Sequence, residues 1–358
     1  MFAASFVALV LAGAALAGPM KRDGALTVEL SGPSNAASVD ELKFSATVKN
    51  SGSEAVKILK YNTILDALPT RSFKVTKDGE EVPFTGIKAF IDLEIAGDNA
   101  YTVIPAGESV TSSSYSLPGA VGSLFDFATA GAGNFKFEPL TNFQVVGSEN
   151  VAALVEAETP EVDSNAVEVS VSKVEKHELI DKRARTTCSN SSQLSFLNSA
   201  YSEAKSMAAA AANYISSNGA NSLFTAYFKT NSATTIRGVF TNVANENSST
   251  RTLSCTDALG ACSAGVIAYT ATSTTNVYVC SIFFQELSQN ALCTGQTTVA
   301  ARNIRGATIL HELTHATSGT VDVTYGCSAD QSLSAANQRS NADNYNCFAS
   351  QVWQTAQC

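Results

Sequence analysis

All eight cysteines of this 358-residue chain lie in its C-terminal half, and this uneven distribution divides the sequence in two. They are Cys188, Cys255, Cys262, Cys280, Cys293, Cys327, Cys347 and Cys358. An even number of cysteines confined to one segment is typical of a disulfide framework formed in an oxidising compartment. A zinc site built from cysteines is the alternative, but the sequence has no CxxC pair of the kind that such sites use. We therefore predict a disulfide-bonded C-terminal domain.

The first 17 residues form a short apolar run that ends in Ala15-Leu16-Ala17, with a small residue at the first and third of these positions. This pattern predicts a secretory signal peptide over residues 1–17. A membrane anchor is the alternative, but the run is too short to span a bilayer and no other long apolar stretch follows it. We therefore expect a secreted, extracellular protein without a membrane anchor.

The charge is as unevenly placed as the cysteines. Residues from Ala184 onward carry eight acidic and eight basic side chains, so the remaining 24 acids and 15 bases account for the whole net charge of −9. Nucleic-acid binding requires a basic face, which neither half offers. We therefore expect no nucleic-acid partner.

Residues from Gly18 to about Ser172 have the pattern of β-strands. Strand-like pieces, two of them with rough alternation of apolar and polar residues, lie at residues 25–30, 42–48, 72–75, 101–104 and 166–171. Turn signals such as Asp78-Gly79 and Pro105-Ala106-Gly107 separate them. The pattern predicts an all-β domain, and a small antiparallel sandwich is the fold that suits it.

A charged stretch, residues 173–183, follows the β region and ends in the dibasic pair Lys182-Arg183. In a secreted chain, such a pair between a cysteine-free and a cysteine-rich region is typical of a processing site that removes a pro-segment. We predict a propeptide at residues 18–183 and a mature domain at residues 184–358, whose N-terminus is Ala184 or Thr186.

The mature region is predicted to be mainly α-helical with a small β-sheet. Helical spacing and strong helix formers indicate helices at residues 194–215, 224–228, 236–243, 297–316 and 332–357. A β-hairpin is predicted from residues 266–270 and 277–279.

One of these helices contains the motif H-E-x-x-H, at His311, Glu312 and His315. Residues four apart lie one turn apart on the same helix face, so both imidazoles can reach one metal ion. Zinc lowers the pKa of its bound water to about 7, and Glu312 can accept the proton of that water. A chance match is the alternative. The only other histidine, His177, lies in the charged stretch.

Catalytic zinc sites use three protein ligands and an open position. The mature region has no third histidine, so the remaining ligand must be a carboxylate or a thiolate. Asp322 is the candidate, because Gly319 can end the helix and turn the chain back. Tyr325, three residues further on, can donate a hydrogen bond to the oxyanion that forms on a scissile carbonyl.

The motif H-E-x-x-H, followed by G-T-x-D-x-x-Y-G at residues 319–326, resembles the signature of the deuterolysins, fungal neutral proteases of the aspzincin group. The order of signal peptide, pro-segment, dibasic site and cysteine-bearing domain is similar too. The resemblance implies a zincin-like catalytic domain and a secreted zinc endopeptidase with one Zn²⁺ per mature domain. His311, His315 and Asp322 would be the ligands, Glu312 the general base and Tyr325 the oxyanion donor.

The resemblance also implies the disulfides Cys188–Cys255, Cys262–Cys280 and Cys293–Cys358. Cys327 and Cys347 would then form an extra bridge between the Asp322 loop and the last helix. The segment between His315 and Gly319 is shorter than is usual in the family, so we expect a tighter loop.

Three further residues are singled out by their context. Asp343 is a candidate acceptor for the second N–H of a ligating histidine, because such histidines usually donate it to a carboxylate or carbonyl. A solvated helix aspartate is the alternative. Asn190 and Asn247 begin glycosylation sequons.

Proteins are the expected substrates, and the resemblance favours basic ones. We expect a monomer whose own propeptide acts as an intramolecular inhibitor. A non-catalytic secreted protein that keeps the fold is one alternative, which the intact Glu312 argues against. A zinc hydrolase acting on small amides is another, because water activation is not specific to one substrate.

Overall fold

The computed structural model describes residues 26–112, 120–146, 162–174, 187–263 and 265–358. The predicted signal peptide, His177 and the dibasic pair Lys182-Arg183 lie outside these ranges. Within them, the N-terminal region is rich in strands and the C-terminal region is mainly helical with a small sheet. The predicted division of the chain into a β-rich and a mainly helical part is confirmed at this level.

The described part of the N-terminal region contains thirteen strands. They are β1 (Leu26–Ser31), β2 (Asn35–Ser38), β3 (Ser45–Asn50), β4 (Val56–Leu59), β5 (Phe73–Lys77), β6 (Glu80–Glu81), β7 (Ile87–Ile91), β8 (Tyr101–Ile104), β9 (Ser109–Ser112), β10 (Gly133–Pro139), β11 (Val145–Val146), β12 (Asp163–Ser164) and β13 (Val167–Lys173). Short helices also occur, α1 (Leu93–Ala96), α2 (Ala120–Ser123) and α3 (Phe127–Ala130).

Twelve of these strands form three sheets, in the orders β12-β1-β3-β9, β2-β13-β10-β5-β6 and β11-β4-β8. The alternation in β1 has the expected effect, since Leu26, Val28 and Leu30 are buried while Glu29 is exposed. The two larger sheets contribute to one hydrophobic core, in which Val48 of β3 and Phe137 of β10 are both buried. This shared core is compatible with the predicted sandwich.

The C-terminal region is built from helices of very different length around a hairpin. Its elements are α4 (Ser191–Asn218), α5 (Ser222–Phe228), α6 (Ala233–Ala244), β14 (Leu253–Ser254), β15 (Val266–Ala271), β16 (Asn276–Val279), α7 (Ala291–Thr294), α8 (Arg305–Ser318), α9 (Cys327–Ser332), α10 (Ala335–Ser340) and α11 (Ala342–Ala356). Helices α4, α8 and α11 share one core. Gly306 allows close packing of α8 on α4, because a Cβ there would lie 2.6 Å from the Cβ of Glu203.

Two helix predictions were too long. The helix predicted at residues 297–316 begins only at Arg305, because the backbone before it pairs with Leu287. The N–H of Leu287 donates to the carbonyl of Asn303, and the carbonyl of Leu287 accepts from the N–H of Arg305. The helix predicted at residues 332–357 is interrupted at Asn341. The chain is extended there because its neighbours exchange backbone hydrogen bonds with Val321.

The fourth sheet joins the two regions. Its order is β14-β16-β15-β7, so the predicted hairpin of β15 and β16 receives its edge strand from the N-terminal region. Strand β7 runs antiparallel to β15 and places Ala89 opposite Tyr269 and Lys88 opposite Thr270. Nothing in the local sequence predicts this pairing.

Four disulfides stabilise the helical region. They join Cys188 to Cys255, Cys262 to Cys280, Cys293 to Cys358 and Cys327 to Cys347, the pairs that the resemblance implies. The last bridge links α9 to α11. Across the described ranges, no helix combines the length and the apolar character needed to cross a membrane.

Candidate metal and catalytic site

Helix α8 carries both motif histidines on one buried face. Every residue from Gly306 to His315 is buried, so this helix is a central element of the core and a rigid support. The helix ends at Gly319, whose φ of 70° is in the left-handed region that favours glycine. The chain turns back there, as predicted, and brings Asp322 to the histidines.

Three potential ligand atoms converge at this point. The Nε2 atoms of His311 and His315 lie 3.1 Å apart. The Oδ1 atom of Asp322 lies 2.9 Å from the first and 3.2 Å from the second. In a tetrahedral zinc site with bonds of about 2.0–2.1 Å, ligand atoms lie about 3.3 Å from one another. The three side chains therefore fit a single metal ion.

The burial of these groups also fits a metal. The side chain of Asp322 is only 1% exposed, although its backbone is partly accessible, and its Oδ2 has no hydrogen-bond partner among the described residues. A buried carboxylate without partners is costly unless an ion compensates for it. A thiolate ligand is excluded, because all eight cysteines are in disulfides.

The tautomer and protonation state of His315 suit a metal ligand. Its Nδ1 lies 2.8 Å from the carbonyl oxygen of Thr320 and donates to it, which leaves the lone pair of Nε2 facing the other two ligand atoms. Burial lowers the pKa of His315 to about 4, so the ring is neutral at neutral pH. For Asp322, burial raises the pKa, but the two imidazoles outweigh it and hold the pKa below its ordinary value.

Asp343 lies beside His311 without a hydrogen bond to it. Its Oδ1 is 3.8 Å from Nδ1 of His311, which is too long for such a bond. The same oxygen accepts from Nε and Nη2 of Arg302, at 3.0 and 2.8 Å, and Oδ2 accepts from the N–H of Gly326 at 2.7 Å. Asp343 is fully buried, so it is not a solvated aspartate. It fixes Arg302 and the loop after Asp322.

Glu312 is buried next to strand β15. Its Oε2 accepts a hydrogen bond of 2.5 Å from the hydroxyl of Thr270. Burial raises the pKa of Glu312 well above its ordinary value, and the bond from Thr270 lowers it in part. A raised pKa makes the Glu312 carboxylate a stronger base than an exposed glutamate.

The hydroxyl of Tyr325 is engaged by the N-terminal region. It donates to the carbonyl oxygen of Ala89, at 2.5 Å, and accepts from Nδ2 of Asn62, at 2.6 Å. Tyr325 is 1% exposed, and burial raises its pKa well above the ordinary value. The predicted oxyanion donor therefore lies at the site, with its hydroxyl already in use.

Further residues at the site were not identified from the sequence. The ring of Phe90 lies 4.6 Å from the ring of His311, and the guanidinium of Arg302 lies 4.6 Å from the same Phe90 ring. The ammonium of Lys88 donates to the carbonyls of Gly319 and Thr320. Lys88 and Phe90 reach the site through a long-range strand pairing, which leaves no local signal.

A cavity of about 200 Å³ separates part of the N-terminal region from the loop of Asp322. Asn62, Lys88, Asp322 and Tyr325 are among the residues that line it. The cavity provides space for solvent next to one of the potential metal ligands.

Both predicted glycosylation sites are on the surface. Asn190 and Asn247 are exposed. Asn190 also caps α4, because its Oδ1 accepts from the N–H groups of Ser192 and Gln193.

Comparison with known proteins places this geometry in a family. Residues 1–356 match the profile of the Deuterolysin metalloprotease (M35) family. The chain is 31% identical to penicillolysin of Penicillium citrinum, over 96% of both chains. It is 30% identical to a neutral protease 2 homolog of Phaeosphaeria nodorum over 94% of both, and 32% identical to one of Aspergillus terreus over 88% of this chain and 89% of the relative. The chain therefore belongs to the deuterolysin metalloprotease family and is a zinc metalloendopeptidase.

Proposed function

We propose that one Zn²⁺ is held by His311, His315 and Asp322 and that Glu312 is the general base for hydrolysis of peptide bonds in proteins. The observation that carries this proposal is the convergence of the three ligand atoms, 2.9–3.2 Å apart, on the helix and turn that also bear Glu312. When bound, zinc lowers the pKa of its water and polarises the substrate carbonyl.

The side chains around Glu312 supply the remaining chemistry. Its buried carboxylate accepts the proton of the attacking water and passes it to the leaving amine. Thr270 holds one carboxylate oxygen and so fixes the direction of this transfer. Tyr325 donates a hydrogen bond to the developing oxyanion, once its hydroxyl is released from Ala89 and Asn62.

The protein is made, in this proposal, as a secreted precursor with a propeptide at residues 18–183 and a mature zincin-like domain at residues 184–358. The four disulfides support an oxidising, extracellular location. The contacts of the N-terminal region support latency. Strand β7 covers the edge of β15, and the carbonyl oxygen of Ala89 accepts the hydrogen bond of the Tyr325 hydroxyl. Cleavage after Arg183 would allow this cover to leave. The mature enzyme is proposed to act as a monomer.

The two other functions remain less well supported. A non-catalytic protein would not require Glu312, a buried carboxylate that lies on the same helix as the ligand histidines and accepts a hydrogen bond from Thr270. A hydrolase of small amides would not require a strand edge that can bind an extended peptide beside the site. Strand β15 has such an edge, since β7 pairs with it. A preference for basic proteins stays a prediction from the resemblance.

The test is proteolysis by the processed enzyme of casein and of a basic protein, with and without a chelator. We expect hydrolysis of both, loss with the chelator and recovery with added zinc. Hydrolysis that persists in metal-free enzyme would contradict the proposal. Small amides serve as the comparison, and faster turnover of these than of proteins would favour the alternative.

A further inference from the structure

Asn341 lies at the break between α10 and α11, directly against the loop that carries Asp322. Its backbone is extended, with φ −81° and ψ 120°, and its side chain is fully buried. Val321 pairs with this extended segment, because its N–H donates to the carbonyl of Ser340 and its carbonyl accepts from the N–H of Ala342. The residue before Asp322 is therefore fixed to the helix break.

The side chain of Asn341 holds the two residues that follow Asp322. Its Oδ1 accepts a hydrogen bond from the N–H of Val323 at 2.8 Å and a longer one from the N–H of Thr324 at 3.3 Å. Together with the backbone of Val321, these bonds fix the chain on both sides of Asp322. A residue whose neighbours are fixed on both sides has little freedom to change the direction of its own side chain.

Asp322 depends on this backbone support, because its carboxylate has little of its own. Its Oδ1 lies against Nε2 of His311 and Nε2 of His315. Neither carboxylate oxygen has a hydrogen-bond donor among the other residues that the structure describes. Ligating carboxylates in metal sites are usually held by hydrogen bonds from neighbouring groups. In this chain the support reaches Asp322 through the main chain of the loop.

The other end of the Asn341 amide is anchored in the core of the C-terminal region. Its Nδ2 donates to Oδ1 of Asp330 at 2.9 Å and to Oδ1 of Asn344 at 2.8 Å. Asp330 belongs to α9 and Asn344 to α11, and both side chains are fully buried. Asn344 in turn donates to the carbonyl of Tyr227 in α5 at 2.8 Å. One side chain therefore connects the loop to three helices.

We propose that Asn341 is a positioning residue for the third metal ligand, and that its amide holds Asp322 against the two histidines before a metal binds. The inference rests on the proposed function, in which Asp322 is a zinc ligand. An asparagine suits this task because its amide accepts at one atom and donates at the other. An ionised aspartate could not donate to the core, and an alanine could do neither. A ligand set that is already ordered binds more tightly, because no free energy of binding is used to order the loop.

The experiment follows the loop directly in the metal-free precursor, residues 18–358. Hydrogen exchange is measured at the amides of Val323 and Thr324, from which Asn341 accepts. In wild type we expect both amides to be protected. In Asn341→Ala their exchange should be about tenfold faster, since loss of an ordinary hydrogen bond changes an opening equilibrium by about that factor. Wild-type amides that exchange as fast as unstructured ones would overturn the proposal, even if a variant folds poorly.

Zinc affinity supplies the second readout. All proteins in this titration carry Glu312→Gln, so that the chain stays intact while zinc is added, and the Glu312→Gln precursor is the parent protein. Asn341→Ala should bind zinc about 10–100-fold more weakly, since loss of a group that supports a metal ligand typically has an effect of that size. Affinity equal to that of the parent protein would contradict the proposal.

Asn276→Ala separates positioning from a general loss of stability. Asn276 is also a buried asparagine of the C-terminal region, and its Oδ1 accepts from the N–H of Thr252 at 2.7 Å. We expect this variant to unfold at lower denaturant concentration, as Asn341→Ala should, but to keep the zinc affinity and the slow exchange at Val323 and Thr324. If Asn276→Ala weakens zinc binding as much as Asn341→Ala does, Asn341 has only a structural role and the proposal is wrong.

Asp322→Ala, measured in the same titration, distinguishes this inference from the proposed function. If Asp322→Ala binds zinc weakly but Asn341→Ala binds it like the parent protein, the positioning role is wrong and the ligand assignment stands. If Asp322→Ala keeps its affinity, Asp322 is not the ligand, and the proposed ligand set and the inference both fail.

Discussion

The hydroxyl of Tyr325 donates a 2.5 Å hydrogen bond to the carbonyl oxygen of Ala89, which connects the candidate catalytic site to a strand 236 residues earlier in the chain. The same hydroxyl is the predicted oxyanion donor. The contact that would stabilise a reacting carbonyl is therefore already formed with the protein's own backbone. In the proposed precursor the hydroxyl of Tyr325 is engaged by the protein's own backbone, and in the proposed processed enzyme it would be free, so the two forms can be compared.

Tyr325→Phe should reduce the turnover of the processed enzyme by about 10²–10³-fold with zinc content unchanged, since it removes one oxyanion donor. In the precursor the same change removes the bond to Ala89 and should weaken the hold of the N-terminal region. Peptide hydrolysis and metal analysis of both forms check this. If the variant loses its zinc, the role of Tyr325 is instead to support the metal ligands.

Glu312→Gln should retain zinc and lose nearly all peptidase activity, because the amide keeps the size of the side chain but cannot accept a proton. Glu286→Gln is the matched control. Glu286 is also a buried glutamate, bonded to Thr308, and burial raises its pKa to about 8, so the amide resembles its protonated form. Activity close to wild type in Glu312→Gln would refute the general-base assignment.

Asp322→Ala should lower both zinc affinity and rate, since one of three protein ligands is lost. Zinc content after dialysis against a series of buffered free-zinc concentrations measures the change. Asp257→Ala is the control, because Asp257 is bonded to Tyr269 away from the ligand atoms and should leave zinc affinity unchanged. Equal affinity in Asp322→Ala and wild type would place the third ligand elsewhere.

Removal of the Cys327–Cys347 bridge should destabilise the mature domain. The two cysteines are 20 residues apart, and a bridge of that span stabilises a fold by about 3 kcal/mol through loss of unfolded-state entropy. Chemical denaturation of the double Cys→Ser variant measures the free energy of unfolding. Zinc affinity should fall too, because the bridge holds the end of the Asp322 loop. Replacement of Cys293 and Cys358 by serine should lower the free energy of unfolding and leave zinc affinity unchanged.

The Asp66 carboxyl should make the fold less stable as the pH rises from about 4 to 6. Burial raises the pKa of Asp66 from 3.8 to about 6. The folded state therefore keeps a proton that the unfolded state releases near pH 4, and stability present below that pH is lost as the pH rises through 6. The loss attributable to this group is on the order of 2–3 kcal/mol. Asp66→Asn should remove this part of the pH dependence.

The difference in free energy of unfolding between wild type and Asp66→Asn, measured by denaturation at several pH values, isolates the contribution of the Asp66 carboxyl. Asp66 accepts from the N–H of Asn62 at 2.8 Å, and Asn62 in turn donates to Tyr325. The pH effect should therefore also alter how firmly the N-terminal region holds Tyr325. Parallel curves for the two proteins would show that Asp66 does not titrate in this range.

Local features of the sequence predicted the elements that carry the site. The spacing of His311 and His315 indicates one helix face, and Gly319 supplies the left-handed turn that returns the chain toward them. Strand-like segments, two of them with alternating apolar and polar residues, predicted β1, β3, β5, β8 and β13; the ends of β8 are as predicted and those of the other four are shifted. These predictions succeed because helix faces, turns and pleats are set by residues within a few positions of one another.

Helix boundaries were less well determined. The starts of α8 and α11 depend on backbone pairing with Leu287 and Val321, residues that lie outside the helices themselves. Helical periodicity reports which residues can face a core, but it does not report a competing hydrogen-bond partner. The predicted helices therefore extended through segments that the tertiary structure holds in other conformations.

The sequence by itself thus determined the histidine pair, the glutamate between the two histidines, the turn that delivers Asp322 and the two-part organisation of the chain. Only the tertiary structure decided that β7 completes the sheet beside Glu312 and that the carbonyl of Ala89 accepts the hydrogen bond of Tyr325. It also decided that Asp343 binds Arg302 and makes no hydrogen bond to His311. The physical reason is that a strand's pattern shows which side is buried, whereas its partner is selected by packing and hydrogen bonds between residues far apart in the chain.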